Sequence, residues 1–172
     1  MLYNVATILQ EQTGATRVYT VDEDIDIDGE QRHVVGRARL DRTPRGILVR
    51  ATFGSVMATQ CSRCLRPVTL PLEIAVAEEF VLTLDVTTGA VVETLAGEEE
   101  AYRISAHHEL DLAEAVRESW VMAVPMAPLC REDCPGLCPS CGKDLDPGHA
   151  CAEAPIDHRW SKLARLGNAE GT

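Results

Sequence analysis

Apolar and polar positions alternate along the first half of the chain, and the alternation locates strands. Val34, Gly36, Ala38 and Leu40 fall on one side; Val35, Arg37, Arg39 and Asp41 fall on the other. Thr43-Pro44-Arg45-Gly46 reads as a turn, and Ile47 to Thr59 resumes with β-branched and apolar residues. A β-hairpin is expected. Arg17 to Val21 reads as a short strand, and Asp22 to Glu30 as an acidic connection holding the turn pair Asp28-Gly29. Val68 to Leu84 is a long extended stretch, bent at Pro71.

The period changes elsewhere. Val5, Ile8, Leu9 and Gln12 recur at helical spacing before Gly14, so a short helix is expected over 4–12. Leu112, Val116, Ser119, Trp120 and Ala123 form the stripe of a longer helix over 110–124, which Pro125 ends. Residues 127–154 are loop-like and rich in Cys, Pro and Gly. A closing helix over 155–166 would carry Trp160, Leu163 and Leu166 on one side. The fold class expected is α+β: a mostly antiparallel twisted sheet, open or closing into a barrel, packed on one or two helices, with a Cys-rich zinc-binding C-terminal segment. The domains expected are an α+β core over 1–126 with an acidic loop at 85–101, the Cys-rich segment and closing helix over 127–166, and a tail over 167–172.

Composition sharpens this picture. Hydrophobic residues are 45% of the chain but aromatics only 4%, so the core must rest on Val, Leu, Ile and Ala. No apolar run approaches the ~18 residues of a membrane span, and the first ten residues do not read as a signal peptide. A reducing cytoplasmic setting is therefore expected, where seven cysteines serve as ligands or catalysts rather than disulfides. The net charge of -11 excludes a protein that coats nucleic acid uniformly. It also hides an asymmetry. Between Gln31 and Pro67 lie Arg32, Arg37, Arg39, Arg42, Arg45, Arg50, Arg63 and Arg66, against Asp41 as the only acid. Arginine presents a planar fork that holds phosphate through two hydrogen bonds.

The cysteines carry the most specific signal. Cys130, Cys134, Cys138 and Cys141 are followed by His149 and Cys151, and the centre reads Cys138-Pro139-Ser140-Cys141-Gly142. Such a turn aims two thiolates at one point, and glycine lets the backbone fold beneath a metal. Zinc takes four N or S ligands in a tetrahedron, with sulfur at ~2.3 Å. Cys61 and Cys64 form a second CxxC. They can join the same ion, complete a second site, or stay as thiols at a strand end. If all eight donors serve two ions, one division is Cys61, Cys64, Cys130, Cys134 and then Cys138, Cys141, His149, Cys151. One zinc or two is thus left open. Sites with four protein ligands are structural, since catalytic zinc keeps an open position. No HExxH helix, nucleophile elbow, P-loop or dinucleotide fingerprint is present in the sequence, so no enzyme is expected. His107-His108 reads as solvated loop.

From Cys61 onward the residues form a pattern. Cys61-Ser62-Arg63-Cys64-Leu65-Arg66-Pro67 is followed by Leu70-Pro71-Leu72-Glu73, Glu78-Glu79-Phe80, an acidic stretch and Val124-Pro125. Then come Leu129-Cys130, Cys134-Pro135-Gly136-Leu137-Cys138-Pro139-Ser140-Cys141-Gly142-Lys143-Asp144-Leu145 and Asp157-His158-Arg159-Trp160. This resembles the YceD family, the bacterial large ribosomal RNA subunit accumulation proteins, over nearly the whole chain. The resemblance implies a role in synthesis, processing or stability of 23S rRNA, and so in large-subunit assembly. It supplies no catalytic residue. Some members lack the C-terminal cysteines, so zinc is argued here from the residues present. Many end the cluster in Cys-x-Cys, where this chain has His149-Ala150-Cys151.

Three functions follow as expectations. The first is an rRNA-linked factor whose arginines Arg37, Arg39, Arg42, Arg45, Arg50, Arg63 and Arg66 meet phosphate; the competing reading pairs them with the chain's own acids. The second is a module holding a basic ribosomal protein on the acidic surface without touching RNA. The third is a thiol oxidoreductase, which needs a reactive low-pKa cysteine. Neither a small-molecule substrate nor a membrane is expected.

Overall fold

In the computed structural model the residues described are 1–93, 95, 100–145, 148–151 and 158–163, the side chains of His158, Ser161 and Lys162 excepted. They divide into two units: Met1–Thr59 with Thr69–Met126, and Gln60–Val68 with Ala127–Thr172. The elements run β1 (Leu2–Asn4), α1 (Ala6–Gln10), β2 (Thr16–Ile27), β3 (Glu30–Arg42), β4 (Gly46–Gln60), β5 (Pro67–Leu82), β6 (Arg103–Ile104), β7 (Glu109–Asp111) and α2 (Ala113–Ala123), with a 3-10 turn over His158–Leu163. This is the α+β class expected from the sequence, with the sheet curled into a half barrel.

In the first unit the sheet order follows the chain, β2-β3-β4-β5-β6. β2 and β3 pair antiparallel from Thr16↔Asp41 to Ile27↔Glu30, and β3 and β4 from Arg42↔Ile47 to Val35↔Gly54. The expected acidic connection at 22–30 is therefore mostly strand. Ile25 and Ile27 turn into the core while Asp22, Asp24 and Asp26 face solvent. Only Asp28-Gly29 forms the turn, both at positive φ (55° and 83°), the backbone of a tight two-residue hairpin. β6 adds a short parallel edge, Val81↔Arg103 and Leu82↔Ile104. β5 runs through Pro71, outside the stretch that pairs with β6.

The core forms where the sheet's inner face meets α1 and α2. Val34, Ala38 and Leu40 are buried and Val35, Arg37 and Arg39 exposed, as the alternation requires. Both phenylalanines, Phe53 and Phe80, join the aliphatic core. From α2, Ala115, Val116, Ser119 and Trp120 turn inward. The helix stops at Val124 (ψ 122°), because the residue before Pro125 is pushed out of the helical region. Its expected first turn is instead β7, paired with β1 as Leu2↔Asp111 to Asn4↔Glu109. The expected closing helix is a 3-10 turn where described, with Trp160 and Leu163 exposed. Leu166, the tail, and residues 94 and 96–99 of the acidic loop lie outside the described residues.

Candidate metal centres

The second unit contains two CxxC turns with the same backbone. In the first, Cys61 N–H donates to Arg66 O (2.9 Å) and Leu65 N–H to Cys61 O (2.9 Å). In the second, Cys138 N–H donates to Lys143 O (2.7 Å) and Gly142 N–H to Cys138 O (2.8 Å). The residue after the second cysteine has positive φ in both: 60° at Leu65 and 68° at Gly142. Glycine takes this region freely; a leucine there costs roughly 1–2 kcal/mol. The first turn accepts that strain to aim both thiols the same way.

Each turn meets a second pair of donors. Cys61 and Cys64 converge with Cys130 and Cys134; Cys138 and Cys141 converge with His149 and Cys151. Within each group all ligand atoms lie within 4.8 Å of one another. The sulfurs of Cys61 and Cys134 are 3.8 Å apart and those of Cys64 and Cys130 3.7 Å. A tetrahedron with metal–sulfur bonds of ~2.3 Å has an edge of ~3.8 Å. From Cys141 Sγ to His149 Nε2 is 3.5 Å, against ~3.5 Å for an edge between sulfur and nitrogen, with nitrogen at ~2.0 Å from the metal. All seven cysteines are free thiols. Both groups thus have the donors and spacing to hold a metal ion, and the pairing is the eight-donor division.

The electrostatics of both groups are compatible with a cation. Amide N–H groups of Cys64 and Cys130 pull the Cys61 thiol down to about 6, and those of Cys141 and Ser140 do the same for Cys138, also to about 6. Cys64, Cys130 and Cys151 move the other way. Cys134 beside it, with burial, pushes Cys130 up to about 12, and Cys141 pushes Cys151 up to about 11. Each group readily holds one thiolate, and a further negative charge at hydrogen-bond distance is resisted. A divalent cation at the centre removes that resistance.

The two centres differ in cover. Cys61, Cys64 and Cys134 are buried and pack with the half-buried Leu129 and Leu137, whereas Cys141 and Cys151 are exposed. Arg63 Nη1 donates to Cys134 O (2.9 Å), Arg66 pairs with Asp144 (3.1 Å), and Ser62 N–H donates to Pro128 O (2.7 Å). Gly136 (φ 81°) lies against Arg63, where a Cβ would come within 3.1 Å of its carbonyl oxygen.

The other arginines lie in the first unit. Arg42 is half-buried and bonds Leu9 O (3.2 Å), Gly46 O (3.0 Å) and Thr43 O, closing the hairpin end. Arg45 sits in the turn, where its carbonyl accepts from Leu82 N–H (3.1 Å). Arg37, Arg39 and Arg50 share the outer face of β3 and β4. Arg39 and Arg50 both reach Asp41, at 2.8 and 2.9 Å. Sequence reasoning notes Asp41 only as the single acid among eight arginines; that it bridges two of them is seen in the structure.

Comparison with known proteins settles the kinship. The sequence profile of the large ribosomal RNA subunit accumulation protein YceD matches residues 49–167. The chain belongs to the YceD family. An uncharacterised protein of Mycobacterium tuberculosis, and one of Mycobacterium bovis, are each 35% identical over 130 residues, covering 74% of this chain and 59% of theirs. An uncharacterised protein of Mycobacterium leprae is 30% identical over the same length. The chain therefore spans under two thirds of the length of these relatives. No solved structure matches it. The family description concerns accumulation of the large ribosomal RNA, and no described helix is long and apolar enough to cross a membrane.

Proposed function

We propose that this chain is a non-enzymatic cytoplasmic factor for the synthesis, processing or stability of 23S rRNA, and so for large-subunit assembly. The family match over 49–167 carries the reading. The metal is zinc, one ion at each centre. One set of four cysteines, and one of three cysteines with a histidine, suit at tetrahedral spacing a borderline-soft cation without geometric preference of its own. Protein donors fill all four positions, so zinc here organises a segment and leaves no place for a substrate. The test is deletion of the gene followed by measurement of 23S against 16S rRNA. A selective fall in 23S, restored by the full chain and not by the Cys61→Ser/Cys138→Ser variant, is expected. An unchanged ratio in the deletion overturns the role.

A second reading, a module holding a basic ribosomal protein, has its own support. Val121, Met122 and Met126 stand exposed at the end of α2, beside a depression of about 620 Å³ lined by Met57, Trp120 and Pro125, on a chain of net charge -11. Methionine-rich surfaces adapt to a partner. Pull-down before and after RNase treatment separates the readings, because a protein contact survives the nuclease.

A further inference from the structure

Two guanidinium groups face each other across the hairpin: Arg39 and Arg50 are directly opposed in the β3–β4 register. Like charges at opposed positions weaken a sheet. Arg37 adds a third on the same face, two residues along β3 and so ~7 Å away. Its neighbours across the ladder are Thr20 and Thr52, neither of which is charged. Folding gains nothing evident from this crowding. Asp41 makes it tolerable by bridging Arg39 and Arg50, with a third hydrogen bond from Thr16 Oγ1 at 2.7 Å. The bridge neutralises one charge of three and holds two guanidinium groups in place. Arg37 makes no such pair among the described residues.

The surroundings suit a ligand that lies flat. The arginines border a depression of about 500 Å³ whose other outward side chains are Thr52, Ala75, Ala77 and the exposed Val18. These side chains are short, so the longer guanidinium groups stand above them. More than half of the Arg39 and Arg50 side-chain surface is exposed, at 57% and 59%. Among the described residues no tyrosine, tryptophan or phenylalanine borders the depression, so it has no platform on which a base could stack. Further along the same face Asp22 and Asp24 flank His33, at 3.3 and 2.9 Å, and the charge there turns negative.

We infer that the outer face of the hairpin binds the RNA phosphate backbone through Arg37, Arg39 and Arg50 without reading bases, with Asp41 as the acid that competes with phosphate for two of them. This rests on the rRNA reading above and reduces the seven candidate arginines to one face. The guanidinium fork pairs with carboxylate as well as with phosphate, so the choice of RNA over an acidic peptide rests on the family match, and polyglutamate is the competing ligand in the test. The acids beyond Asp22 limit the path to a short stretch of backbone.

The test uses the full zinc-loaded chain and a fluorescent single-stranded RNA, titrated at several salt concentrations. Three phosphate contacts give a log–log salt slope near about -2, and Arg37→Gln should bring it toward about -1.4 with severalfold weaker binding. Because Arg37 has no ion-pair partner to lose among the described residues, its replacement leaves the melting temperature in place. Asp41→Asn should act the opposite way: tighter RNA binding, despite a less stable fold. Arg131→Gln, an equal charge change in the second unit, should leave the affinity within about twofold and the slope at its wild-type value. Affinity and slope unchanged in Arg37→Gln, or weaker binding by Asp41→Asn, overturns the inference. Equal binding of polyglutamate overturns the choice of RNA. A deletion strain with normal 23S rRNA, tested separately, defeats the role rather than the site.

Discussion

Stripping the metal from the chain should unfold the second unit and leave the first intact. In the second unit the buried hydrophobic residues described are Cys61, Cys64, Cys134 and Cys138, with Leu129 and Leu137 only half-buried. Ordering about 25 residues of the two CxxC turns and their connections costs ~25 kcal/mol at ~1 kcal/mol per residue. Two leucines return at most ~3 kcal/mol each when fully buried, and these two are not. The shortfall is ~20 kcal/mol. Two structural zinc ions at ~10–16 kcal/mol each would cover it, whereas the hydrogen bonds and the Arg66–Asp144 pair of that unit contribute ~1 kcal/mol each. The first unit has its own continuous core, from Val5 to Trp120, and needs no metal. The assay is amide hydrogen exchange by mass spectrometry, before and after chelation under reducing conditions, with metal removal verified on the same sample. Peptides over 60–68 and 127–145 should lose protection, while those over β3, β4 and α2 keep it. Protection of 127–145 surviving complete removal of metal would refute the reasoning, because it would reveal a core other than the cysteines.

Three substitutions test the first unit. A Cβ at Gly36 would lie 2.1 Å from Thr52 O and 2.8 Å from Phe53 Cα, so Gly36→Ala should destabilise by ~2–3 kcal/mol, or several degrees in melting temperature. At Gly54 the nearest atom would be Val35 O at 3.8 Å, so Gly54→Ala should change little; equal losses at both would refute the packing argument. Asp41→Asn should cost ~2 kcal/mol at neutral pH, since charge-assisted hydrogen bonds are lost from a well-covered carboxylate. Burial pushes the Asp41 carboxyl up, but the Thr16 hydroxyl and the guanidinium groups of Arg39 and Arg50 outweigh it and hold it below its usual range. A lowered folded value gives stability that is complete above the unfolded carboxyl value, ~3.9, and is lost as pH falls through the folded one. The gap between wild type and Asp41→Asn, read by chemical denaturation, should therefore close in acid; a gap independent of pH would contradict it.

Much of this structure is legible in the residues, and the failures have physical causes. The side-to-side alternation from Val34 to Asp41 is visible because one face is buried and the other carries arginine. The same alternation continues through 21–27, where Val21, Ile25 and Ile27 are buried. It reads as a connection because Asp22, Asp24 and Asp26 fill the solvent face, and acids are poor strand formers. β1, β6 and β7 have two or three residues each, too few to show a period, and exist because tertiary partners hold them. Counting donors suggests how the metal ligands divide, but sequence spacing cannot choose between one centre and two. That choice is made by the hairpin, which carries Cys61 and Cys64 between β4 and β5 to thiols 66 to 73 residues later. Leu65 is also opaque. Its positive φ is seen only by analogy with Gly142, once both turns are known to share a backbone.

The central claim is that eight donors form two closed zinc centres. Metal content per chain, measured by plasma mass spectrometry on freshly purified protein and on its Cys61→Ser and Cys138→Ser variants, tests it most directly. The expected result is two zinc ions in the wild type and one in each variant. A single ion lost in both variants, an ion lost only with Cys138→Ser, or no metal at all would contradict it.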